Sequence, residues 1–110
     1  MGADMVITFA RVPDVVDVDL LKGRAESISE NDRLYVLETF DLYGDEQSDQ
    51  DPVGLLKDAI DEVFVSPSRE LADIRLDGKR YLVTGGLSWG DYPTDIFRSL
   101  SVIHLVTEGD

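Results

Sequence analysis

Ser88 lies in Gly86-Leu87-Ser88-Trp89-Gly90, the G-x-S-x-G spacing of a nucleophile elbow, and Asp91 or Asp95 and then His104 follow in the order such hydrolases use. In an elbow the helix begins almost at the serine, because the strained turn presents the hydroxyl above the sheet. Here Pro93, whose fixed φ suits the first turn of a helix, places the helix start about five residues later. His104 then stands eleven residues along that helix. That is roughly 16 Å from its start at 1.5 Å per residue, whereas a base must come within about 3 Å of its nucleophile. A chain of 110 residues is also too short for a full α/β-hydrolase sheet. We therefore expect no catalytic residue, and keep a small hydrolase or phosphate-handling enzyme centred on Ser88 and Asp91 as the alternative.

The stretch from Gly85 to Thr94 holds three of the nine glycines, the only tryptophan and a proline. Glycine tolerates positive φ and close backbone approach, so the segment reads as a strand-to-helix connection of the kind that builds sites. Gly85, Gly86, Ser88, Trp89, Asp91 and Tyr92 are its candidate binding residues. Glycine amides beside a helix N-terminus can cradle a phosphate, but Asp91 and Asp95 would repel it and no lysine follows as in a P-loop. The same two acids are four residues apart, a spacing open to Mg²⁺ or Ca²⁺. Capping of free amides and favourable interaction with the helix dipole explain them more simply. We expect no metal and no cofactor. His104, the only histidine, is flanked by Ile103 and Leu105 and reads as a packed side chain. Trp89 is either a lid on the core or an aromatic anchor for a partner.

Charge narrows the partners. The chain carries 23 acids against 10 bases, a net charge of −13, and lacks cysteine. Absence of thiols removes disulfides, cysteine nucleophiles, iron–sulfur clusters and thiolate zinc sites. Nucleic acid and anionic membrane surfaces are disfavoured, because a face that binds them must neutralise phosphates. The charge has three accounts: solubility, or a host cytoplasm that is salty or favours Asp and Arg codons; a basic protein partner; or mimicry of a nucleic-acid backbone toward a DNA-binding protein. Asp45, Glu46, Asp49, Asp58, Asp61 and Glu62 form the candidate acidic surface, with Lys57 the one base among them. No stretch approaches the roughly 18 apolar residues of a membrane span, and the N-terminus has no basic n-region, so we expect a cytoplasmic protein.

The elements that position these residues follow from periodicity. Met5 to Val12 reads as a strand that Pro13-Asp14 ends. Asp17 caps a helix in which Leu21, Ala25 and Ile28 recur, and Ser29 opens a second that ends near Gly44. The Tyr, Val, Thr and Phe content of 33–42 allows a strand instead; helix is preferred. Asp51-Pro52 is the strongest helix start, with Leu56, Ala59, Ile60, Val63 and Phe64 on one apolar face and Asp58, Asp61 and Glu62 away from it. Asp77-Gly78 joins two strands as a tight hairpin. Ala72, Ile74 and Leu76 alternate with Asp73 and Arg75, which predicts that the first three are buried and the last two wet. A final helix buries Ile96, Phe97, Leu100 and Ile103. The order implies one α+β domain over residues 1–110, with a small, mainly antiparallel sheet (N-terminal strand plus hairpin) against three or four helices.

Residues 80–94, Arg-Tyr-Leu-Val-Thr-Gly-Gly-Leu-Ser-Trp-Gly-Asp-Tyr-Pro-Thr, resemble a pattern in uncharacterised small proteins of actinobacteria and their phages. There a strand ends in Gly-Gly, followed by Met or Leu, then Ser-Trp-Gly-Asp, any residue and Pro-Thr. The resemblance covers the last third well and the helix after Asp51 loosely, and it implies a host class and a site without a catalytic role. Taken together, we expect an acidic, non-enzymatic module that binds a protein, with a basic one fitting the charge.

Overall fold

A computed structural model describes residues 5–42, 51–67, 71–87 and 94–107. Strand β1 (Met5–Val12) leads to α1 (Val18–Ala25) and α2 (Glu30–Leu42), then α3 (Pro52–Ile60). A π-helical turn over Asp61–Val65 extends α3, and β2 (Ala72–Leu76), β3 (Lys79–Leu87), α4 (Thr94–Val102) and the short α5 (His104–Thr107) complete the order. This is an α+β architecture in which helices pack against a small antiparallel sheet of order β1-β3-β2.

The helix starts arise from local chemistry. Asp17 accepts a hydrogen bond from the Leu20 amide at 3.2 Å, and Ser29 Oγ accepts one from the Asp32 amide at 3.2 Å. Asp51 accepts from the Val53 amide at 3.1 Å with Pro52 in the first turn. Each satisfies an amide that the helix itself leaves unpaired. The segment 33–42, open to two readings from sequence, is helical: Val36, Thr39 and Phe40 lie on one side and are buried, while Leu34, Glu38 and Asp41 are exposed. At the end of α3 the Ser66 amide bonds to the Asp61 carbonyl at 2.9 Å, five residues back, and this wider turn buries Val63.

The core lies between the helices and one face of the sheet. Leu56 and Ile60 of α3, Phe97 and Leu100 of α4, and Ile103 are all fully buried, as the helical periodicity required; Val36 of α2 is fully buried as well. From the sheet, Ala10 and Val12 of β1 and Leu82 and Thr84 of β3 face this core. They are neighbours by register, with Ala10 opposite Leu82 and Thr8 opposite Thr84.

The hairpin turn is two residues long, with Leu76 paired to Lys79 and both Asp77 (φ 54°) and Gly78 (φ 77°) left-handed. Positive φ at both central residues is the type I′ geometry, whose twist matches that of the flanking strands.

One expectation about β2 is overturned. Ala72, Ile74 and Leu76 are not buried; all five residues of the strand are exposed. Register explains why. Asp73 stands opposite Leu82, so the helix-facing side of β2 carries Asp73 and Arg75, while Ile74 stands opposite Tyr81 on the other side. Among the described residues the helices pack on β1 and β3 and not on the edge strand β2. An alternating strand thus places its apolar set on the face that no helix covers.

Candidate functional site

The residues singled out from sequence fall in three groups. Gly85 and Gly86 belong to β3 rather than to a loop, paired with Ile7 and Val6 of β1. The strand therefore runs two to three residues further than the glycines suggested, because backbone pairing needs no side chain. Ser88, Trp89, Asp91 and Tyr92 lie outside the described residues, as do Asp45, Glu46 and Asp49.

Asp58, Asp61 and Glu62 are described and do not share one environment. Asp58 is exposed. Asp61 is ion-paired with Lys22 of α1 at 2.8 Å. Glu62 accepts a hydrogen bond at 2.7 Å from Ser99 Oγ, a hydroxyl on buried Ser99 of α4. Two of the three carboxylates therefore join helices together, and Asp58 alone presents its charge outward without such a contact. His104 packs its ring edge-on against Tyr35, 5.6 Å between centroids, and the Tyr35 hydroxyl donates to the Ser101 carbonyl at 2.9 Å. Among the described residues no three metal-ligating side chains gather at one point, and no helix is long and apolar enough to cross a membrane.

The surface that stands out is the sheet face turned away from the helices. Phe9 and Arg11 of β1, Tyr81 and Val83 of β3, and Ile74 and Leu76 of β2 share it, together with Ala72 and Lys79. Phe9 is 66% exposed and Leu76 57%, values that a large apolar side chain reaches only where nothing packs on it. The Phe9 and Tyr81 rings meet edge to face with centroids 6.3 Å apart, which fixes both on the sheet. Contiguous exposed apolar area of this sort marks interaction sites on soluble proteins.

Its electrostatics run against those of the molecule. Among the described residues, Arg11 and Lys79 are the charged ones on this face, and none there is a carboxylate. Five bases elsewhere are engaged: Lys22 with Asp61, Lys57 with Glu26, Arg75 with Asp14, Arg80 with Asp73, and Arg24 with the Val106 carbonyl. Arg98 lies 4.7 Å from the Phe40 ring centre. At the rim, on the helix side of β2, both Asp73 oxygens accept from Arg80 Nε at 3.1 Å. That hydrogen bonding holds the Asp73 carboxyl below its usual range; partial desolvation opposes it, and the charges of Arg80 and Arg75 add to it.

The sequence carries a signal for this face. A strand covered on one side alternates, whereas Phe9-Ala10 and Tyr81-Leu82-Val83 are apolar at consecutive positions and so on both faces. No protein-family model, curated protein or solved structure matches the chain.

Proposed function

We propose that this protein is a non-enzymatic interaction module whose partner is another protein. The uncovered apolar sheet face carries the proposal: Phe9, Tyr81, Val83, Ile74 and Leu76 together offer the desolvated aromatic and aliphatic centre that binding hot spots require. The charge of −13 supplies the complementary long-range part. It draws a basic protein toward the molecule and raises the encounter rate, while the apolar face holds the complex once formed. Arg11 and Lys79 orient the contact by selecting carboxylates on the docking patch of that partner.

Affinity capture from the host with quantitative comparison of variants tests this. Wild type, Phe9→Glu with Ile74→Glu, and the control Asp58→Lys are compared after each is shown to unfold at the same midpoint. A protein retained by wild type and the control but lost with the double variant, and forming a defined complex when purified, is the expected result. Equal retention by all three, or loss with Asp58→Lys alone, would remove the sheet face from the account.

A further inference from the structure

The geometry points to a second binding surface, the open edge of the same sheet: we propose that two copies of the chain associate through antiparallel pairing of their β2 edges, centred on Ile74. Among the described residues β2 is bonded on one side only, to β3. Its register with β3 is unbroken from Ala72 to Leu76, with neither bulge nor proline, two of the devices that keep an edge from pairing; its charges, a third, come in a self-complementary order.

The backbone direction follows from the turn. A two-residue hairpin makes Leu76 and Lys79 a hydrogen-bonded pair, and bonded pairs alternate along an antiparallel ladder. Ile74 and Ala72 therefore direct their amides and carbonyls toward β3, and Asp73 and Arg75 direct theirs to the open edge. A two-fold axis at Ile74 sets Asp73 opposite Arg75 of the second copy, and Arg75 opposite its Asp73. All four open backbone groups of each strand are then satisfied by four mutual bonds.

The side chains agree with the same register. The order Ala72-Asp73-Ile74-Arg75-Leu76 is complementary to its own reverse: acid meets base on one face, and apolar meets apolar on the other. Opposite charges directly across a strand pair stabilise it, and like charges oppose it. Within one copy Asp73 already binds Arg80 at 2.9 Å and Arg75 binds Asp14 at 2.7 Å. Pairing joins these into a row of alternating sign, Asp14, Arg75, Asp73 of the second copy and its Arg80. The other open edge has no such match, since Arg11 is the one charged residue of β1. Five residues bury less than the roughly 1,000 Å² of a stable interface, so the dimer forms at high protein concentration, on the order of 0.1–1 mM.

The chain lacks cysteine, which permits a register-specific test. In an antiparallel pair centred on Ile74 the two Ile74 Cα atoms lie about 4.5 Å apart, within disulfide reach. The two Leu76 residues lie four positions apart, roughly 14 Å. Mild oxidation of Ile74→Cys is expected to give a covalent dimer at least about tenfold faster than oxidation of Leu76→Cys. Sedimentation supplies the second arm. Asp73→Arg and Arg75→Asp each place like charges opposite one another and remain monomeric, whereas an equal mixture of the two restores complementarity and forms a heterodimer. Equal crosslinking of the two cysteine variants, or no association in the mixture while both variants stay folded, would overturn the proposal. So would a wild-type dimer that Phe9→Glu abolishes and the charge variants leave intact.

Discussion

Asp73 stands directly opposite Leu82, so a carboxylate, and not Ile74, shares the sheet face that the helices cover. Leu82 is buried beneath the helices, while Asp73, one strand further out, reaches past them to Arg80 at 2.9 Å. The edge strand thereby turns Ile74 and Leu76 outward beside Tyr81, and the apolar face is the result.

Removing a core aromatic and removing an outer-face aromatic have different consequences. Phe97→Ala leaves a cavity at the centre of the helices and costs about 3–5 kcal/mol. Phe9→Ser gives up one ring contact on an open surface and costs under about 1.5 kcal/mol. Urea midpoints of the two variants, measured side by side, check the contrast.

The turn is sensitive at both positions. Gly78→Val puts a β-branched residue at φ 77° and destabilises by about 1–2 kcal/mol. Asp77→Asn keeps a side chain that tolerates the left-handed region and stays within about 0.5 kcal/mol of wild type. A larger loss for Asp77→Asn than for Gly78→Val would contradict the type I′ assignment.

Acid weakens the rim of the sheet. The folded state lowers the pKa of Asp73, so its contribution is complete above the unfolded value, about 4, and disappears as pH falls through the lower folded value. The side chain is half exposed, which limits the contribution to under about 1 kcal/mol. The stability gap between wild type and Asp73→Asn is expected to be constant near neutrality and to close below pH of about 4.

Carboxylates one turn apart on the α3 segment differ in role. Glu62→Ala leaves the buried Ser99 hydroxyl without its acceptor and costs about 1–3 kcal/mol. Asp58→Lys changes an exposed charge and shifts stability by less than about 0.5 kcal/mol. Thermal unfolding of both variants at one ionic strength separates them.

Much of this fold was legible in the sequence because its signals are local. Asp17, Ser29 and Asp51 announce helix starts through the amides they cap, and Asp77-Gly78 announces the turn through its φ values. Periodicity found Leu56, Ile60, Phe97 and Leu100 for the same reason. The outer face was not legible, because alternation in β2 says that its two sides differ but not which side the helices choose. That choice is made where the helices pack on β1 and β3, and β2 inherits it through its register with β3. Glu62 was read as solvated for a similar reason: its partner Ser99 comes from another helix, 37 residues along the chain.

Methyl NMR of the protein titrated with the purified partner tests the central claim most directly. If the sheet face is the docking surface, the methyl signals of Ile74, Leu76 and Val83 shift on binding, while those of Leu56 and Ile60 in the core stay in place. Shifts that spare Ile74, Leu76 and Val83 and fall instead on methyl groups near Asp58 would contradict it.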